Sequence, residues 1–280
     1  MMEEVLTVDQ IASFNQSGVL VVPGFYDLSE VETIQRGIHS VIGLVIDERK
    51  LSIQQAGFAP ETFDSGFQEL IAHDRGLGGV VYDAVKQIPA FIRLVSSANH
   101  EAVIRQLRGT AAPAVVAGGY GIRIDNPQEE KFRAAWHQEY PAQIRSMDGL
   151  VFWSPLLPMS EELGPVEFCL GSHKDGVVPV RMKDAVNPEK VGAYGLTLAD
   201  EAERVKRYDR VAPLTQPGDM VMIDWLVLHR SGENHSNRSR WSMQMRWFNF
   251  EEPTGRRLGW PGSFAAGNDL RATHPELVVD

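Results

Sequence analysis

The pattern of apolar and polar positions divides the chain at about residue 110. In the opening LTVDQIASFNQSGVLVVPGF, Thr7 can cap a short helix that carries Ile11 and Phe14, and Gly18 can end it. Val19 to Val22 form a β-branched run closed by Pro23-Gly24, which predicts a strand and a turn. From about Ser29, the residues Val31, Ile34, Ile38, Val41 and Ile42 recur at helical spacing. Residues 62–110 continue as largely helical, with a weak pattern around Gly76 to Gly79.

From about Pro113 the runs become short, β-branched and punctuated by Gly, Pro and Asp: AVVAGGYGIRI, LVFWSPLL, GPVEFCL, MVMIDWLVL and WSMQMRWFNF. Strands at such intervals, without long helices between them, predict a β-sandwich or barrel. The expected organisation is one domain over residues 1–280, mainly β with flanking helices. Its parts are a mostly helical segment (1–110) packed on the sheet, a β-core (111–250), and a charged loop or lid with a short helix inserted at 182–210.

Composition narrows the classes. With 43% hydrophobic residues, 280 positions can bury a sizeable core, near the upper limit for one domain. A formal charge of -10 disfavours nucleic acid as a partner, the arginines between Arg230 and Arg246 being the only basic cluster. The start MMEEVLTVDQ has no basic n-region, and no run approaches the ~20 apolar residues of a membrane span. The expectation is a cytoplasmic protein that acts on a small molecule. Cys169 is the single cysteine, which excludes an internal disulfide and a cysteine-built zinc site; in VEFCL it reads as a buried, inert thiol.

The chemistry-bearing residues lie in the β-like part. His137 and Glu139, in AAWHQEYP, would share one face of a strand, because side chains alternate with period two. An imidazole and a carboxylate side by side supply two thirds of a facial metal triad, whose third ligand comes from a distant strand. His229, closing MVMIDWLVL, is the best third member, with His235 in the turn-like GENHSN as the alternative. The bland reading is a strand histidine hydrogen-bonded to Glu139. Asp148 is another carboxylate near in sequence, at an odd-numbered spacing from His137.

The surrounding segments resemble the phytanoyl-CoA dioxygenase family of iron(II)/2-oxoglutarate oxygenases. The opening helix and "G-then-apolar" strand, WHQEYP, DGLVFWSPL, GPVEFCLGSHK and QPGDMVMIDWLVLHRSGENHSNRSR follow the family's order. The resemblance covers most of the chain. It implies a double-stranded β-helix, or jelly roll, with iron(II) held by His137, Glu139 and His229, and with 2-oxoglutarate and O2 as cosubstrates. Arg240, 11 residues after His229, matches the arginine that pairs with the distal carboxylate of 2-oxoglutarate. Ser231 and Trp153 match cosubstrate-contacting positions. The family usually has Asp where this chain has Glu139; glutamate keeps the donor atom and adds a methylene. Related halogenases lack this carboxylate, so its presence argues against halogenation. The implied reaction is hydroxylation of a C–H bond with release of succinate and CO2.

Arginine independently suits a dicarboxylate, because its planar fork offers two parallel donors where lysine offers a point charge. Around Arg240 the strand alternates: Trp241, Met243, Met245 and Trp247 on one face, Arg240, Ser242, Gln244 and Arg246 on the other. If Arg240 points inward, Ser242 joins the cosubstrate site and Arg246 faces the interior; otherwise this stripe is a solvated sheet face. Arg246, with Arg123 and Arg145 expected near the pocket mouth, points to a polar or anionic small substrate. Two other classes stay open: a cupin-like isomerase or lyase without a cosubstrate, and a metal-free binding module.

Overall fold

A computed structural model of the chain describes residues 4–184, 195–260 and 266–279. Thr7 and Gln10 form a reciprocal capping box at the start of α1 (Val8–Ser17), and Gly18, at φ 75°, closes it. Strand β1 (Val19–Val22) follows, then α2 (Leu28–Glu48), capped by Asp27 and burying Val31, Ile34, Ile38 and Ile42. Next come α3 (Phe67–His73), α4 (Arg75–Val85), α5 (Pro89–Val95) and α6 (Ala98–Arg108). The weak pattern at Gly76 to Gly79 is no interruption, since α4 runs straight through it with Asp74 capping the Gly76 N–H. A Cβ at Gly78 would stand 2.8 Å from Ile71 Cγ2, so the missing side chain lets α3 and α4 approach.

The strands that follow are β2 (Pro113–Val115), β3 (Gly121–Asp125), β4 (Gly149–Pro155), β5 (Val166–Cys169), β6 (Val180–Arg181) and β7 (Thr197–Leu198). They continue with β8 (Arg210–Val211), β9 (Met220–Asp224), β10 (His229–Ser231) and β11 (Arg240–Asn249). Between and after them lie α7 (Tyr140–Gln143), α8 (Glu201–Val205), α9 (Pro253–Leu258) and α10 (Ala266–Thr273). The large sheet runs β1-β9-β4-β11, with β2 and β3 both pairing to β11. A second sheet runs β10-β5-β8, and β6 pairs with β7. These pairings are antiparallel.

"Mainly β" needs correcting, because helix (40%) outweighs strand (19%). The many helices before β2 account for the imbalance. Of the segment 182–210 expected to form a lid, residues 185–194 lie outside the described residues; the rest holds β7, α8 and the start of β8. Cys169 is buried and free.

The two faces of β11 determine where the site can be. Trp241 packs edge-on against Phe63 and Phe67, and the Trp247 indole N–H donates to the Val95 carbonyl. On β4, Phe152 stacks on His100 of α6 at 4.5 Å. The odd-numbered face of β11 therefore belongs to the helices, and the even-numbered face looks the other way, into the space between the sheets.

Candidate metal centre

His137 sits in a single antiparallel bridge with His229, each backbone N–H donating to the other's carbonyl at 3.0 Å. The bridge brings the two imidazoles side by side, with ring centroids 4.2 Å apart and planes tilted by 47°. Glu139 reaches them by a route different from the one expected. It lies not on a strand but in right-handed helical conformation (φ -70°, ψ -37°) at the head of α7, where Pro141 ends any extended run. The backbone N–H groups of Glu139 and Tyr140 both donate to the Trp225 carbonyl, which fixes this turn. Trp225 is held close in turn, because a Cβ at Gly149 would stand 2.2 Å from its ring. His229 also differs in setting: β9 ends at Asp224, a turn follows, and His229 opens β10 in the second sheet. Asp224 accepts the Leu226 N–H and stabilises that turn.

The candidate ligand atoms of His137, Glu139 and His229 all lie within 4.8 Å of one another. Donors bonded at about 2.1 Å to one ion on one octahedral face stand roughly 3 Å apart, so the three side chains would draw together around a metal. In each histidine Nδ1 is bonded to a backbone carbonyl, Ala135 at 2.8 Å and Val227 at 2.9 Å, so Nε2 is the nitrogen left for a metal. Oε1 of Glu139 accepts from Arg246 Nε at 2.5 Å and Gln143 Nε2 at 3.0 Å.

The charge states suit metal binding. Burial holds both imidazoles below the usual histidine range, His229 down to about 3, although Glu139 acts in the opposite direction. Burial alone would raise Glu139; the neighbouring Arg246 and His137 hold it down to about 2. Two neutral imidazoles and one carboxylate are the forms that bind a metal ion without first releasing protons. The grouping is able to hold one.

A cavity of about 50 Å³ adjoins the three residues, and Trp153, Ser231, Gln244, Arg123 and Arg246 help to line it. Arg240 and Ser242 do not line it, but they share the face of β11 that carries Gln244 and Arg246. Arg240 is 1% exposed. It pairs with Asp125 at 2.8 Å, across the β3–β11 ladder, while its Nη1 has no partner among the described residues. Ser242 Oγ is likewise buried, with no partner among the described residues. Orphaned buried donors are uncommon and call for an acceptor, which fits a carboxylate arriving from the cavity.

The remaining candidates divide. Arg123 and Arg246 line a larger cavity of about 160 Å³ beside His137 and Glu139, with Pro141, Val180, Leu196 and Leu198 among its walls. Their guanidinium groups are engaged, Arg123 by Asp125 and Arg246 by Glu139. Arg145 is not brought there. It lines neither cavity and lies over the Phe248 ring. Asp148 pairs with Arg108, and His235 is exposed next to Glu233. The His173 ring lies against Gly18 and Asn15. Asn234 ties the loop after β10 through bonds to the Asp125 and Arg238 carbonyls. Two partners escaped sequence reasoning, Asp125 for Arg240 and Arg246 for Glu139. Gln143, one helical turn after Glu139, carried a local signal in its spacing.

The fold is that of non-haem, 2-oxoglutarate-dependent enzymes in solved structures. EctD from S. alaskensis, crystallised with 2-oxoglutarate and 5-hydroxyectoine, matches with a TM-score of 0.58 at 18% identity, over 90% of this chain and 79% of that one. The carbocyclase SnoK from nogalamycin biosynthesis matches with a TM-score of 0.57 at 17% identity, over 87% and 84%. The epimerase SnoN, in complex with Fe3+, alpha ketoglutarate and nogalamycin RO, matches with a TM-score of 0.54 at 18% identity, over 88% and 86%. No curated protein sequence matches the chain. The family model of phytanoyl-CoA dioxygenase (PhyH) matches residues 14–242, and the chain belongs to that family. Among the described residues, no helix is long and apolar enough to cross a membrane.

Proposed function

We propose that the protein is an iron(II)- and 2-oxoglutarate-dependent oxygenase built on a jelly-roll core, and that it hydroxylates a C–H bond of a small molecule. The observation that carries this reading is the convergence of His137, Glu139 and His229, in metal-binding charge states, on the polar interior face of β11. Bound there, iron(II) with 2-oxoglutarate and O2 supplies the oxidising power for C–H cleavage, releasing succinate and CO2. The protein's own contribution is placement. The Nδ1 bonds orient both imidazoles, and Arg240 with Ser242 offers donors to the distal carboxylate of the cosubstrate. Ser231 and Trp153 shape the space between.

The 160 Å³ cavity supports a small substrate. With Arg123 and Arg246 already neutralised by carboxylates, the mixed wall favours a polar or zwitterionic molecule over a strongly anionic one. The epimerase and carbocyclase among the structural neighbours show that the same fold serves other oxidative outcomes.

One observation favours a metalloprotein without a cosubstrate, namely that Arg240 already holds Asp125. The Arg240→Ala variant decides between them. Loss of one partner of a buried charged pair costs about 2–5 kcal/mol, so KM for 2-oxoglutarate in iron-dependent succinate release should rise at least roughly thirtyfold. An unchanged KM would remove Arg240 from the cosubstrate site, and no iron-dependent turnover of 2-oxoglutarate by the wild type with any of a panel of substrates would sink the oxygenase reading.

A further inference from the structure

We propose that Arg246 and Gln143 form a clamp that makes Glu139 a one-oxygen metal ligand; this inference rests on the oxygenase reading above. A glutamate has one more rotatable bond than an aspartate, and an unrestrained one can turn both oxygens toward an ion. That matters at a facial site. Three protein donors and a two-pronged cosubstrate fill five of six octahedral positions. A second carboxylate oxygen would fill the last.

The geometry prevents this. Both hydrogen bonds that Glu139 accepts land on the same atom, Oε1: Arg246 Nε at 2.5 Å and Gln143 Nε2 at 3.0 Å. Two donors occupy the two lone-pair directions of that oxygen, so Oε2 is the one left for the metal. The clamp is itself braced. Arg246 Nη1 donates to the Gly119 carbonyl at 3.0 Å and Nη2 to Gln244 Oε1 at 3.2 Å, so the guanidinium has no freedom to follow the carboxylate. Gln143 closes α7, which Glu139 precedes as its N-cap, and the Glu139 N–H is anchored to the Trp225 carbonyl. Arg246 lies beyond the family match, which ends at residue 242. Arg246 and Gln143 are positioning residues, acting through Glu139.

The test is an anaerobic titration of the full-length protein with iron(II), then with 2-oxoglutarate, following the visible charge-transfer band of the iron–keto-acid complex. Outer partners of ligands typically contribute about 10–100-fold to metal affinity. Arg246→Met should weaken iron binding by that factor and displace the band. On a Glu139→Asp background, the same change should weaken binding less than about threefold, because the shorter carboxylate cannot span clamp and metal, and the two changes then fail to add. If Arg246→Met does not fold, as judged by circular dichroism, Gln143→Leu carries the same expectation. Wild-type affinity with an unmoved band in the variants, or equal losses on both backgrounds, overturns the clamp while leaving the oxygenase intact. A wild-type protein that binds no iron overturns both.

Discussion

The two faces of β11 obey different rules. On one, Trp241, Met243, Met245 and Trp247 are buried against helices, with rings edge to face and the two indole N–H groups bonded to Asp64 and the Val95 carbonyl. On the other, Arg240 and Arg246 each hold a carboxylate, and Arg240 Nη1 and Ser242 Oγ have no partners among the described residues. The first face satisfies its polar atoms and fills its space. The second keeps unfulfilled donors in a polar interior, which destabilises a fold unless something else occupies the space. Packing and the proposed chemistry thus share one strand and are separated by its pleat.

That separation can be broken from either side. Trp241→Ala should have the largest effect, a loss of about 3–5 kcal/mol in urea unfolding, because the cavity left among Phe63 and Phe67 cannot fully collapse. Iron affinity of the folded variant should stay within about threefold of wild type; a collapse of metal binding in well-folded protein would show that the faces are coupled. Acid gives a smaller effect and probes both faces together. His100 on the helix side and His229 on the metal side are each held neutral, down to about 3, chiefly by burial. A histidine with a depressed folded pKa contributes stability above the ordinary value of about 6.5 and loses it as the pH falls toward the folded value, by ~1.4 kcal/mol per pH unit. Glu139 and Asp125, held near 2 in the fold, lose their contributions only below the carboxylate range. The window from pH 6.5 to 4.5 therefore belongs to the histidines. Metal-free protein should lose stability steadily across it. A flat profile would mean that these imidazoles are not buried neutral.

Much of this was legible in the residues themselves. Thr7 and Gly18 write the first helix locally, and the alternation through Arg240–Trp247 sorts the residues of β11 into two faces, though not which of them is interior. His137 and Glu139 do come together, but not by sharing a strand face, since one is in a strand bridge and the other is the residue before a helix. What stayed hidden depends on register. Arg246 meets Glu139 across 107 positions and Arg240 meets Asp125 across 115, and neither pairing is encoded near its residues. Arg145 was misplaced for a related reason: after α7 the chain turns at Ile144 in a left-handed conformation, and Arg145 lies over the Phe248 ring.

Anomalous diffraction at the iron edge, from crystals grown anaerobically with iron(II), addresses the centre itself. The account predicts one strong peak per chain, at about 2.1 Å from Nε2 of His137, Oε2 of Glu139 and Nε2 of His229. Iron found elsewhere, or a fully loaded crystal in which His229 stands apart from the peak, would contradict it.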